Sequence, residues 1–190
     1  MINQTLFSKI KKNLEAYQHE RNQIINRSRQ ILQDAKKTIF ALHRQDNKSA
    51  DGFLKSAQKS LTELNQKYDK GNRLKFEGSY KAAVEEFVEA SFFAQALKGK
   101  SLAELKIGSI GPEEYLGGLA DLTGELVRQA VLQATAGNYK ELERYRQLTE
   151  EIVGFMLQLY LTGYQRQKFD EAKRNLKRLE QMIYEVRLRG

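Results

Sequence analysis

Residues 82 to 94 read Ala82-Ala83-Val84-Glu85-Glu86-Phe87-Val88-Glu89-Ala90-Ser91-Phe92-Phe93-Ala94, which places carboxylates inside an otherwise apolar segment. Positions 87 to 97 are almost all apolar or small, and this predicts a helix buried on all its faces in a core or an interface. A buried carboxylate is costly unless it is paired, neutralised or bound to a metal. We therefore expect Glu89 and Glu86, which share a helix face, to form half of a metal site, with Glu85 facing outward.

The composition around this stretch favours helix almost throughout. The 190 residues include one proline and no tryptophan, are rich in good helix formers, and lack alternating runs of β-branched residues. This length allows a sizeable core, and no Pro/Gly/Ser-rich linker divides the chain into separate domains. The sequence therefore predicts an all-α fold, with a single domain over residues 1–190 and a bundle of about six or seven helices.

The charge balance bears on partners and location. A formal charge of +8 and an isoelectric point near 9.5 suggest a polyanionic partner, with nucleic acid ahead of a membrane surface. No apolar run reaches the roughly 18 residues of a membrane span, and residues 1–12 lack the apolar core of a signal peptide. We expect a soluble, cytoplasmic protein with no membrane partner. The absence of cysteine excludes disulfides and thiolate metal sites.

Apolar residues spaced three and four apart divide the chain into helices. The first is a long amphipathic helix from Leu6 to His43, whose ends we expect to pack on other elements or other subunits. The remaining helices are expected from Phe53 to a stop at Gly71, from near Asn72 to Leu97, from Pro112 to Gly137, from Leu142 to Leu161, and after Gly163.

Basic side chains on the first helix and near the acidic segment are candidate phosphate contacts, although a simply solvated basic face is the alternative. The candidates are Arg21, Arg29, Lys36, Lys37, Arg73, Lys75, Lys81 and Arg128.

The fourth helix is rich in glycine, which predicts a close approach by another backbone or a ligand. Each glycine inside a helix costs roughly 1 kcal/mol relative to alanine, and Gly117, Gly118 and Gly124 all lie in this one. Asp121 and Glu125 share their face, so they are candidates to meet Glu86 and Glu89 across a tight helix crossing.

Four carboxylates of this kind would suit a hard divalent cation such as Mg²⁺, with Mn²⁺ as an alternative. Glu-x-x-Glu pairs are frequent on solvated helix faces, so it is the apolar neighbourhood of Glu89 that favours a metal site. A ferritin-like di-iron site would require Glu-x-x-His pairs, which neither His19 nor His43 completes, and we expect surface or capping roles for both histidines. Phosphate-binding, nucleophile-elbow and His-Glu-x-x-His motifs are absent from the sequence.

Several of these segments resemble the translin family, and within it the translin-associated factor X (Trax) type. The resemblance covers nearly the whole chain, and the two acidic motifs are its most specific part. It rests on residues 19–29 and 36–44 of the first helix, on Glu86-Phe87-Val88-Glu89-Ala90, on Tyr115-Leu116 with Ala120-Asp121-Leu122-Thr123-Gly124-Glu125-Leu126, and on Val186-Arg187-Leu188-Arg189-Gly190.

This resemblance implies an all-helical subunit that assembles into a hollow octamer enclosing nucleic acid. It also implies a Mg²⁺-dependent endoribonuclease, because the catalytic carboxylates of Trax fall on Glu86, Glu89 and Asp121, while Glu125 matches a further acidic position. The loop between the acidic motifs is shorter than in eukaryotic Trax and the terminal tails are absent, which favours a homo-octamer without a separate translin subunit.

Two other functions remain open at this stage. The first is a non-catalytic, translin-like protein that binds RNA or single-stranded DNA, in which the acidic cluster is a relic or a structural network. The second is a helical scaffold without a nucleic-acid partner, against which the net charge argues.

Overall fold

The computed structural model describes residues 3–68, 73–108 and 110–189. Within these ranges the chain forms six α-helices and one 3₁₀ turn, with no β-strand. The helices are α1 (Gln4–His43), α2 (Asn47–Tyr68), α3 (Gly78–Leu97), α4 (Pro112–Thr135), α5 (Tyr139–Leu157) and α6 (Gly163–Arg189), and the 3₁₀ turn is Leu74–Phe76. The all-α prediction is confirmed, as is the long first helix of 40 residues.

Helices α3 and α4 lie at the centre of the bundle. Helix α3 packs between α1 and α4, and α4 in turn contacts α5 and α6. The fully buried side chains include Ile31 of α1, Leu61 of α2, Phe93 of α3 and Leu122 of α4. As predicted, α3 is buried on nearly all its faces, so any polar group on it lies close to the core.

The long helix α1 divides into an exposed half and a packed half. From Ile24 onward it contributes to the core, but Leu6, Phe7, Ile10 and Leu14 are each about half exposed. The stretch from Leu6 to Leu14 thus leaves its apolar side chains outside the core of this chain. No described helix is at once long enough and apolar enough to cross a membrane.

Several helix ends differ from the sequence prediction, and some of these differences have a clear local reason. Helix α2 begins at Asn47 rather than Phe53, because the Asp46 carboxylate accepts a 3.1 Å hydrogen bond from the Ser49 backbone N–H and so stabilises a polar first turn. Helix α5 ends at Leu157 rather than Leu161. Hydrogen bonds between residues three apart, as in a 3₁₀ turn, close its last turn, for example from Leu159 N–H to the Met156 carbonyl.

The start of α3 also differs. A 3₁₀ turn precedes it, so the α-helix begins at Gly78 and not near Asn72. The predicted stop at Gly71, Asn72 itself and the terminal Gly190 lie outside the described residues. The predicted start of α4 at Pro112 is confirmed, with Glu113 and Glu114 in its first turn.

Candidate functional site

Helices α3 and α4 cross closely at two glycines. A Cβ atom on Gly118 would lie 2.6 Å from Val88 Cγ1 and 2.9 Å from the Glu85 carbonyl oxygen, and one on Gly117 would collide with the Glu85 side chain. Larger residues would push the helices apart, because real Cβ atoms are not found at such distances. The predicted close approach by another backbone is therefore confirmed at Gly118. The neighbour of Gly117 is the Glu85 side chain, and Gly124 has only an ordinary contact with Asn175.

This crossing brings the predicted carboxylates together around Glu89. Glu89 is 8% exposed and makes no hydrogen bond or ion pair with any described residue. Burial, together with the neighbouring carboxylates Asp121, Glu86 and Glu125, raises the pKa of Glu89 to about 9. The four acidic residues singled out by sequence thus lie within electrostatic reach of one another, with Glu89 the most deeply placed.

Glu86 lies close to a basic residue of α1. Its carboxylate is 3.8 Å from the ammonium of Lys36 on α1, which is itself well exposed. Burial raises the pKa of Glu86, with Lys36 opposing the shift and Asp121 and Glu125 adding to it. Lys36 therefore stands at the rim of the acidic cluster.

Asp121 is bound by a lysine that the sequence did not identify. Lys168 of α6 donates hydrogen bonds of 2.6 and 2.5 Å to the two Asp121 carboxylate oxygens, and its Nζ is 2.9 Å from Glu85 Oε1. The Tyr164 hydroxyl donates a 2.6 Å hydrogen bond to Glu85. The expectation that Glu85 faces outward is wrong, because the Gly117 notch lets its side chain lie against α4 and reach Lys168.

Glu125 is held by a buried histidine. His43 hydrogen-bonds Glu125 through Nε2 and Gln129 through Nδ1, the latter at 2.9 Å, and its ring lies 4.8 Å from that of Phe93. Arg128 Nη1 is 3.8 Å from Glu125. The predicted surface or capping role is thus wrong for His43, which ends α1 on the inner face, whereas His19 is exposed and forms a hydrogen bond with Gln23.

The carboxylates are near neighbours rather than a finished ligand set. In the described part of the chain no three His, Asp or Glu side chains already form a metal-binding group. The donors are all hard oxygens, which suit Mg²⁺ or Mn²⁺, and Glu89 is a buried acid without a cationic partner in direct contact. The chemistry of the residues therefore fits a divalent cation, although their present partners include Lys168 and His43.

The predicted phosphate contacts separate into two groups. Lys36, Lys81 and Arg128 lie next to the acidic residues, and Lys36 and Lys81 line a cleft of about 530 Å³ that also includes Glu86, Asp121 and Lys168. The others lie elsewhere: Arg21 pairs with Glu77 at 2.9 Å, Arg73 pairs with Glu20, Lys37 lies over the Phe53 ring of α2, and Arg29 and Lys75 are exposed.

Several known proteins are similar to this chain in sequence. An uncharacterised protein of Methanocaldococcus jannaschii is 32% identical over 142 residues, covering 72% of this chain and 61% of that protein. The translin-associated protein X homolog of Schizosaccharomyces pombe is 30% identical over 152 residues, covering 72% and 65%. A shorter match to translin of Gallus gallus, 34% identical over 79 residues, covers 41% and 34%. The matches thus span from a third to just under two thirds of these relatives.

Solved structures share the fold. The chain superposes on AfC3PO bound to duplex RNA with a TM-score of 0.86 at 23% identity, covering 96% of each chain. It superposes on apo-NeC3PO with a TM-score of 0.84 at 21% identity, covering 98% of each chain. The model of the translin family matches residues 19–190. With the acidic motifs, the six-helix bundle and this match over nearly its whole length, the chain belongs to the translin family.

Proposed function

We propose that this protein binds RNA within a homo-oligomer and cleaves it as a Mg²⁺-dependent endoribonuclease of the Trax type. The observation that carries the proposal is the gathering of Glu86, Glu89, Asp121 and Glu125 at one helix crossing, with Glu89 buried and without a cation in contact. A purely structural network would pair its buried acid with a basic or hydrogen-bonding group. A carboxylate cluster that leaves its deepest member unpaired suits a divalent cation instead.

Glu86, Glu89, Asp121 and Glu125 would hold the ion. A bound Mg²⁺ or Mn²⁺ supplies Lewis acidity that activates a water for attack on the phosphodiester and neutralises charge on the phosphoryl oxygens. The side chains around it keep the carboxylates in place, since His43 orients Glu125 and Lys168 orients Asp121.

Three basic residues on the rim give this site its nucleic-acid contacts. Lys36 and Arg128 lie beside Glu86 and Glu125, and Lys81 lines the same cleft as Glu86 and Asp121. Their charges attract a phosphodiester backbone towards carboxylates that would otherwise repel it. Contacts to phosphate carry no sequence information, so binding should be sensitive to salt and largely independent of sequence.

RNA is the preferred partner for two reasons. The chain belongs to the translin family, and one structure of the same fold, AfC3PO, was solved with duplex RNA. The likeness of the two acidic motifs to Trax supports cleavage as well as binding. We expect eight copies in the assembly, and a mass measurement in solution tests this number, since a monomer would contradict an enclosed chamber.

The test of catalysis uses the full chain with labelled single-stranded and duplex RNA, in Mg²⁺, in Mn²⁺ and in EDTA. We expect cleavage in the presence of a divalent ion, none in EDTA, and loss of cleavage in Glu89→Gln. Glu171→Gln, which alters an exposed acid on α6, is the matched control and should cleave like the wild type. Undiminished cleavage by Glu89→Gln would disprove the assignment.

One observation favours a second candidate, a non-catalytic protein that binds RNA or single-stranded DNA. Lys168 already neutralises Asp121, and no ready metal-binding group is found among the described residues. This alternative predicts salt-dependent binding in the same assay without cleavage under any divalent ion.

A further inference from the structure

Lys168 lies within the candidate site although its charge is opposite to that of the site. Its side chain is 16% exposed, and its ammonium is bonded to both oxygens of Asp121 and lies 2.9 Å from Glu85. Both carboxylates come from other helices, Asp121 from α4 and Glu85 from α3, so Lys168 fastens the start of α6 across the helix crossing. A contact of this kind differs from the many exposed ion pairs of the chain, which are worth little.

The ammonium is itself held in place by its surroundings. Glu85 lies in the notch at Gly117 and accepts a hydrogen bond from Tyr164, one helical turn before Lys168 on α6. The Lys168 ammonium also lies 5.1 Å from the centre of the Tyr164 ring. Burial lowers the pKa of Lys168, but hydrogen bonds with Asp121, Tyr164 and Glu85 outweigh it and raise the pKa, so this side chain remains charged.

This geometry creates a competition for Asp121. Both of its oxygens are bonded to the ammonium, so a divalent cation can use them only by displacing Lys168 or by tolerating a positive charge at close range. Glu85 provides a second carboxylate to which the displaced ammonium could remain bound. We propose that Lys168 is a positioning residue that holds Asp121 ready for a divalent cation and lowers the affinity for that cation by competing for the same oxygens.

The proposal rests on the cation site proposed above, and Mn²⁺ binding without RNA separates the two. Free Mn²⁺ is measured by electron paramagnetic resonance during titration of the full wild-type chain, Lys168→Gln, Lys168→Arg and Lys173→Gln. Lys173 is the matched control, because it lies on the same helix and pairs with Asp170 in an exposed ion pair.

We expect Lys168→Gln to bind Mn²⁺ roughly tenfold more tightly than the wild type at low salt, because a like charge beside the ion is removed. Lys168→Arg keeps the charge and should bind within about threefold of the wild type, as should Lys173→Gln, whose charge is solvent-screened. A merely structural role would leave the affinity of Lys168→Gln unchanged or weaken it, and that result would overturn the proposal while leaving the cation site intact. If neither the wild type nor Lys168→Gln binds Mn²⁺, the cation site and this proposal are overturned together.

A second measurement needs no variant and so does not depend on the folding of Lys168→Gln. Amine labelling of the wild type, read by mass spectrometry, reports how free each lysine is. Displacement predicts that labelling of Lys168 rises several-fold as Mn²⁺ saturates the site while labelling of Lys173 stays constant. Constant labelling of Lys168 through saturation would show that the ammonium is not displaced, and would overturn the competition.

Discussion

Gly118 of α4 lies so close to Val88 of α3 that a Cβ atom would come within 2.6 Å of Val88 Cγ1. The same atom would lie 2.9 Å from the Glu85 backbone oxygen, which cannot move without moving α3. This contact sets the distance between the two helices that carry Glu86, Glu89, Asp121 and Glu125. The geometry of the acidic cluster therefore depends on a hydrogen atom at position 118.

The first prediction concerns this contact. Gly118→Ala should lower the free energy of unfolding by about 1–3 kcal/mol, because the added methyl group overpacks a fixed backbone. Gly124→Ala should instead raise it by up to about 1 kcal/mol, since its Cβ would meet only Asn175 at 3.7 Å and alanine favours helix. Urea unfolding of both variants measures the difference. Equal effects would show that the crossing adapts to a methyl group.

Much of this arrangement follows from local sequence. The all-round apolar pattern of residues 87–97 predicts the buried helix, and glycines in a helical segment predict a close neighbour, because each signal depends only on residues a few positions apart. The same logic predicts that Glu89 and Asp121 lie at one site. Their grouping is reflected in the raised pKa of Glu89.

The roles of Lys168 and His43 cannot be predicted from the sequence, because they depend on the packing of segments that are distant along the chain. Lys168 precedes the buried Phe169, so it borders the apolar stripe of α6, but the sequence does not say which helix that border faces. His43 is likewise buried because the end of α1 packs against Phe93 of α3 and Gln129 of α4, both far away in sequence. Glu85 was misplaced since it fits against α4 only where Gly117 makes room.

The second prediction concerns the pH dependence of stability. The pKa of Glu89 is about 9 in the folded chain and 4.5 as its ordinary value, so the folded state binds the proton more tightly. Its stability contribution is present below pH 4.5 and is lost as pH rises towards 9, by about 1.4 kcal/mol per pH unit at most. Glu89→Gln, which cannot ionise, should lose less stability over this range.

Urea unfolding in EDTA at pH 5, 7 and 9 measures this effect. The wild type should become progressively less stable than Glu89→Gln as pH rises, and added Mg²⁺ should restore the wild type alone at pH 9. Glu171→Gln should follow the wild type at each pH. A wild type that gains stability relative to Glu89→Gln between pH 5 and 9 would mean that Glu89 is ionised and stabilised in the fold.

The third prediction concerns His43. His43→Ala removes a hydrogen-bonding partner from Glu125 and from the buried Gln129, and losing these hydrogen bonds should cost about 1–3 kcal/mol. His43→Phe should retain packing against Phe93 but still lose both hydrogen bonds, so it should be more stable than His43→Ala. Both variants should bind Mn²⁺ more weakly than the wild type, because neither orients Glu125. Calorimetry measures stability, and titration measures binding.

His19 provides the control for this pair of variants. It is exposed on α1 and hydrogen-bonds the exposed Gln23 on the same helix, so His19→Ala should change stability by less than about 0.5 kcal/mol. Unaltered Mn²⁺ affinity in both His43 variants would remove the histidine from any role in positioning Glu125.

The fourth prediction separates the basic residues at the site from those elsewhere. Lys36 is 3.8 Å from Glu86 and Arg128 is 3.8 Å from Glu125, so both should contact phosphate when RNA reaches the carboxylates. The affinity falls as salt rises, so the slope of log affinity against log salt is negative. Replacing either residue with glutamine should make this slope shallower, by about 0.7 for single-stranded and about 0.9 for duplex RNA. Filter binding from 50 to 300 mM salt, with Glu89→Gln as the background to prevent cleavage, measures the slope.

Lys37 is the matched control for Lys36, because it is the next residue on α1 and carries the same charge. Its ammonium lies 5.4 Å from the Phe53 ring of α2, away from the helix that bears Glu86. If RNA binds at the acidic cluster, Lys37→Gln should leave the salt dependence of RNA affinity unchanged. Equal reductions in salt dependence for Lys36→Gln and Lys37→Gln would mean that RNA lies along α1 as a whole. That second result would favour a binding surface independent of the carboxylates and hence the non-catalytic function.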